Sequence, residues 1–149
     1  IGVNRQGNSV QGCAKIVTSD NLDNVLPQAD ILYIALPETP DTINIIDRRR
    51  LGLLKQSCGI INVGRQSAID YVALSEMLET KHISGVILDV FSPEPIIKSP
   101  NLWSILNLII TLHLSSEDVT SYLSQSLEFF FLNFEFFISE NPLLKLVYM

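Results

Sequence analysis

ILYIAL at residues 31–36 is an unbroken apolar run bounded by Asp30 and Pro37, and such a run reads as a strand covered on both faces. It is expected to be the central strand of a parallel sheet. The same signature recurs at residues 59–63 (GIINV), 84–90 (SGVILDV) and 108–111 (LIIT). Between these runs, residues 42–46 and 48–54 predict two short helices. Residues 68–79 carry Ile69, Val72, Leu74, Met77 and Leu78 at helical spacing, with Asp70 in the first turn, so a helix packed on the sheet is expected there. Weaker strands are read at residues 1–5 and 15–17, with a short helix capped by Asp20 or Asn21 and running toward Gln28. Alternation of this kind predicts an α/β fold, a partial doubly wound parallel sheet of Rossmann type that begins mid-fold.

The chain has 149 residues, enough for one domain with a useful core, whereas a dinucleotide enzyme with its own substrate domain needs about twice that. The formal net charge is −6 and the only dense basic cluster is Arg48, Arg49 and Arg50, which argues against nucleic acid as a partner. That cluster reads as the exposed side of a short helix rather than an anion site. Cys13 and Cys58 form no CxxC pair and no signal peptide is visible, so free thiols in the cytoplasm are expected. A long helix is expected from Ser115 or Ser116 to about Ser139, with Glu117 and Asp118 in its first turn. Its FFFLNFEFF core, residues 129–137, is shorter than the roughly 20 residues a bilayer demands and contains Asn133 and Glu135, so it is not read as a membrane span. Its phenylalanines cover every face, and part of that surface is expected to meet another body. The pattern is read as one α/β unit, residues 1–114, followed by a long helix and tail, residues 115–149.

Three of the apolar runs end beside groups of complementary chemistry: Arg65, Glu94 and His113. Parallel strands aim their carboxyl ends at one crevice, so loops distant in sequence can serve a common pocket. A guanidinium there can grip a carboxylate, and an imidazole can move a hydroxyl proton while a carboxylate orients it. That set suits hydride transfer on a small 2-keto or 2-hydroxy acid. No metal cluster is visible, and His82, near a helix end, is read as a surface or packed residue. Asn4 and Arg5 end the first strand, where an acidic residue would accept hydrogen bonds from an adenosine ribose; an arginine there can face a 2'-phosphate instead, which tilts the cofactor, NAD or NADP, toward NADP, with a solvated Arg5 as an equally weighted alternative.

The segments QADILYIALPETPDT (28–42), LLKQSCGIINVGRQ (53–66), SGVILDVFSPEP (84–95), SPNLW (99–103) and NLIITLHLSS (107–116) resemble, in that order, the D-isomer-specific 2-hydroxyacid dehydrogenases. IGVNRQG (1–7) looks like the family's second nucleotide-binding strand and NPLLKLV (141–147) like its closing segment, so the resemblance implies a nucleotide-binding part, residues 1–114, truncated before its second strand, and a helix and tail, residues 115–149, that would return to a missing substrate domain. The resemblance implies that Arg65 binds substrate, that His113 is the acid/base and that Glu94 is its partner. It also implies cofactor contacts from Asn4, Arg5, Leu36, Pro37, Val63 and Gly64, with Asp89 facing the nicotinamide carboxamide. Glyoxylate or hydroxypyruvate is the kind of substrate implied, and a missing N-terminal half or a homodimer partner would complete the site.

Three departures from the family pattern bear on activity. The glycine-rich dinucleotide turn, which would place N–H groups and a helix dipole on the pyrophosphate, is expected just before Ile1. Gln66 stands where the family has Gly, which would be strained if φ there is positive. Leu112 replaces the usual Pro before the histidine, removing a fixed φ. These changes support an alternative reading: a catalytically inactive remnant or interaction module that keeps part of the fold.

Overall fold

The computed structural model describes residues 1–92, 105–111, 113–114 and 121–144. The chain divides into two compact units, Ile1–Ser115 and Ser116–Met149. In the first unit, β1 (Gly2–Asn4) and β2 (Ile16–Thr18) pair in parallel, and β3 (Ile31–Ile34), β4 (Gly59–Asn62), β5 (Gly85–Leu88) and β6 (Leu108–Ile110) form a second parallel sheet in that order. The register is flush at the carboxyl ends, with Ile34 opposite Asn62, Asn62 opposite Leu88 and Leu88 opposite Ile110. This is the Rossmann-like α/β architecture that the apolar runs imply. From β2 to β5 strand and helix alternate, because each parallel connection must travel back over a sheet face.

Helices α1 (Leu22–Val25), α2 (Arg48–Leu51) and α3 (Tyr71–Glu79) make those crossovers. Asp47 caps α2 by accepting from Arg50 N at 2.8 Å, and Asp70 caps α3 by accepting from Ala73 N at 3.0 Å, so each acid satisfies a donor that the helix itself leaves unpaired. Asp70 therefore precedes α3 rather than lying in its first turn. Leu26, Leu51, Ile60, Ile69, Ile83 and Leu88 are the large apolar side chains at the centre. Each such burial stabilises the fold by roughly 1.5–3 kcal/mol relative to exposure. The basic cluster is spent on ion pairs between helices: Asp23 takes Arg49 and Arg50, both at 2.7 Å, and Arg48 meets Glu76 at 2.6 Å. Those contacts tie α2 to α1 and to α3.

Two further expectations fail in this unit. The run 31–36 is an edge strand of its sheet, not a central one, and Ile31 and Tyr33 are 64% and 61% exposed. Its free edge borders a cavity of about 1330 Å³ that β1 also lines. Consecutive residues of both strands face that cavity, so strand edges rather than faces form the border. Residues 42–46 are not helix: 42–44 form a turn in which Thr42 Oγ1 accepts from Thr39 N at 2.8 Å and donates to Pro37 O at 2.7 Å, and Ile46 bridges to Ile69. Asn44 adopts a left-handed φ of 50°, which ends any helical run.

In the second unit, α4 spans Tyr122–Ile138 and buries none of its residues. Phe130 and Phe137 are 60% and 70% exposed, and the Phe130 and Phe134 rings stack at 6.3 Å. Asn133 Oδ1 accepts from Leu144 N at 2.8 Å, which folds the following segment back onto the helix. The expected helix start at Ser115 or Ser116, with Glu117 and Asp118, lies outside the described residues. Among the described residues no helix is long and apolar enough to cross a membrane.

Candidate functional site

The chain leaves β4 through Val63, Gly64 and Arg65. Val63 N extends the ladder to Ile34 O at 3.0 Å, and Gly64 then passes so close to β3 that a Cβ would stand 2.5 Å from Leu36 N. Only glycine fits there. Asn62, fully buried, holds the turn with its side chain: Oδ1 accepts from Gly64 N and Nδ2 donates to Arg65 O, both at 3.1 Å. Arg65 is exposed, with Nη1 donating to Gly64 O at 2.8 Å. The strain expected at Gln66 is absent, because Gln66 opens a 3-10 turn, Gln66–Ala68, and does not take a positive φ. No left-handed residue is needed at that position.

Asp89 follows β5 directly, and its N–H donates to Asn62 O at 3.0 Å, continuing the ladder past the strand. Its buried carboxylate reaches across to the end of β6, where Oδ1 accepts from Thr111 Oγ1 at 2.5 Å and from Leu114 N at 2.9 Å. Between those two donors lies His113, exposed and with a φ of 59°. A left-handed conformation costs a residue with a Cβ about 1–2 kcal/mol, so the bonds around His113 hold it in a conformation it would otherwise leave. Glu94, the expected partner of His113, and Leu112 both lie outside the described residues.

By register, Arg65, Asp89 and His113 all follow the carboxyl ends of adjacent parallel strands. Strand spacing of about 4.8 Å puts the ends of β4 and β6 on the order of 10 Å apart. The remaining cofactor candidates lie toward β1, where Asn4, Arg5, Leu36 and Pro37 line the cavity. Asn4 organises its own turn, with Oδ1 accepting from Gly7 N at 2.6 Å. Arg5 Nη2 meets Asp41 Oδ2 at 3.2 Å with both groups largely exposed, a pair that water screens and that an incoming anion can replace. An open cavity with an exchangeable guanidinium at one end, and a glycine-backed turn beside Leu36, fits a dinucleotide. His82 sits instead in the turn after α3, its buried Nε2 without a hydrogen-bond partner. Among the described residues no group of His, Cys, Asp and Glu could hold a metal ion.

Sequence reasoning passed over Asn62 and Thr111. The signal for Asn62 was a polar residue closing an apolar strand, a place where side chains commonly bond to the following backbone. Thr111 gave no such signal.

A parallel sheet with a glycine turn, an arginine, a buried acid and a histidine following the carboxyl ends of its strands belongs to the Rossmann-like α/β class. The chain belongs to the D-isomer specific 2-hydroxyacid dehydrogenase NAD binding domain family, which matches residues 1–115. It is 36% identical over 113 residues to an uncharacterized protein in the proB 3' region of Corynebacterium melassecola, covering 76% of this chain and 37% of that one. It is 38% identical over 96 residues to glyoxylate/hydroxypyruvate reductase B of Pectobacterium carotovorum subsp. carotovorum, covering 64% of this chain and 30% of that enzyme. The crystal structure of a D-isomer specific 2-hydroxyacid dehydrogenase from Xanthobacter autotrophicus Py2, in complex with NADPH and MES, superposes with a TM-score of 0.87 at 29% identity and covers 99% of this chain and 60% of that one. The chain thus spans about a third of the length of these curated relatives.

Proposed function

We propose that this chain supplies the nucleotide-binding half of an NAD(P)-dependent D-2-hydroxyacid dehydrogenase acting on a small 2-keto acid such as glyoxylate or hydroxypyruvate. The observation that carries the reading is the flush register of β4, β5 and β6, which delivers Arg65, Asp89 and His113 to one edge. When bound, the nicotinamide supplies the hydride. Arg65 grips the substrate carboxylate and draws electron density from the adjacent carbonyl. His113, as the imidazolium, gives its proton to the carbonyl oxygen as that oxygen becomes a hydroxyl, and Glu94 steadies the imidazolium. Asp89 faces the carboxamide, while Leu36, Pro37, Val63 and Gly64 present backbone and apolar surface to the cofactor. Asn4 and Arg5 receive its adenosine end, and Arg5 favours a 2'-phosphate over a bare ribose.

The aromatic surface of α4 is read as covered by a substrate domain or by the second subunit of a homodimer, which would complete the crevice. Two free thiols, one exposed and one buried, suit the cytoplasm. A second reading, an interaction module without turnover, rests on the same exposed phenylalanines. The discriminating experiment titrates the protein with NADPH and NADH and follows cofactor oxidation on adding glyoxylate or hydroxypyruvate. Turnover that Arg65→Ala and His113→Ala abolish supports the enzyme. Cofactor binding without turnover supports the module, and binding of neither dinucleotide overturns both cofactor readings. Replacing Arg5 by Ala is expected to weaken NADPH by about tenfold and leave NADH unchanged, the effect of one lost charged hydrogen bond.

A further inference from the structure

We infer that Asp89 and Thr111 are positioning residues for His113, a role that rests on the reading of His113 as acid/base. His113 lies in the left-handed region, and the amide that follows it, Leu114 N, donates to Asp89 Oδ1 at 2.9 Å. That bond fixes the peptide plane on the C-terminal side of His113, and with it the direction in which the imidazole leaves the backbone. The same oxygen accepts from Thr111 Oγ1 at 2.5 Å, two residues before the histidine. Two donors on one oxygen hold the carboxylate in a single rotamer, so the Thr111 hydroxyl sets the position of the acceptor that Leu114 uses. Asp89 is itself held, because it is buried at 1% exposure and its N–H belongs to the ladder with Asn62. The turn bearing His113 is therefore bolted to the adjacent strand on both sides of the histidine.

Thr111 is the residue to test, since it is exposed and the isosteric Thr111→Val removes one hydroxyl without opening the core. Thr111→Ser restores that hydroxyl. Amide hydrogen exchange at Leu114 and the ring resonances of His113 report the clamp, and His82, the other of the chain's 2 histidines, is the internal control. In Thr111→Val, Leu114 exchange is expected to rise about tenfold and the His113 resonances to move, with His82 unmoved and the unfolding midpoint held, while Thr111→Ser behaves as wild type. With NADPH and glyoxylate, kcat of the valine variant is expected to fall about tenfold while KM for NADPH stays within about twofold, a split that a general loss of stability would not give. Unchanged Leu114 exchange in the valine variant, or a loosened turn with unchanged kcat, overturns the positioning role and leaves the dehydrogenase reading intact. A wild-type protein that binds NADPH but turns over no 2-keto acid removes that reading, and the positioning role falls with it.

Discussion

Gly64 meets Leu36 through bare backbone: a Cβ on Gly64 would stand 2.5 Å from Leu36 N and 2.6 Å from Leu36 O. Neither atom belongs to a flexible side chain that could swing away, so the end of β4 would have to separate from the end of β3. Gly64→Ala is therefore expected to destabilise the domain by roughly 1–3 kcal/mol, the usual range for overpacking a tight contact. Urea denaturation followed by circular dichroism measures it. An unchanged midpoint would mean that the two strand ends are not in contact.

Asn62 should matter for a different reason. Its side chain bonds the N–H of Gly64 and the carbonyl of Arg65 from a fully buried position, and Asn62→Ala would leave both backbone groups without that partner. The expected loss is about 1–3 kcal/mol. Kinetically, the same variant should raise KM for the 2-keto acid more than KM for NADPH, because the turn it frees carries Arg65. Equal effects on both constants would separate Asn62 from the arginine.

Much of this arrangement could be read from the chain alone, and the gaps have physical causes. Central parallel strands announce themselves as apolar runs, which is why β4 and β5 were legible within a residue or two; β6 was equally legible although it is an edge with Ile109 57% exposed. The run containing Ile31 and Tyr33 looks the same, yet it forms an edge, because which strands flank it depends on pairings remote in sequence. Residues 42–46 mimic a helix by composition, but Thr42 has a better local use for its hydroxyl as the hub of a turn. The left-handed φ of His113 leaves no mark in the sequence, and the acceptor of the amide that follows it, Asp89, comes from beyond a different strand. Arg65 and His113 could be proposed from the chemistry of the groups that follow the apolar runs, and Asp89 mainly from the family resemblance; Asn62, although it closes an apolar run, and Thr111 were passed over, because what they make are bonds to neighbours.

The junction of α1 and α2 gives a pH signature. Hydrogen bonds from Arg49 and then Arg50 lower the Asp23 carboxyl from 3.8 to about 2. A carboxyl depressed in the folded state stabilises fully above its unfolded value and loses that contribution as pH falls through its folded value. Acid unfolding should therefore contain a component between about pH 4 and pH 2 that Asp23→Asn removes. Titrated unfolding midpoints of the two proteins would show it, and parallel curves through this window would contradict it.

The two thiols should differ sharply. Cys13 is exposed, whereas Cys58 is buried in the core, where burial pushes its thiol up from the usual value and its Sγ donates to Gly59 O at 3.3 Å. The thiolate is the reactive form, so iodoacetamide at neutral pH is expected to modify Cys13 alone in the folded protein and both residues in urea. Mass spectrometry of the native reaction decides it. Rapid labelling of Cys58 would contradict the packing of β4 against the core.

The most direct examination of the whole proposal is a titration of the isotopically labelled protein with NADPH, followed through backbone amide resonances. Shifts are expected at Leu36, Gly64, Asp89 and His113, the carboxyl edge of the sheet, with the turn at residues 80–84 at the other end of β5 silent. Shifts confined to that opposite turn, or none at saturating cofactor, would contradict it.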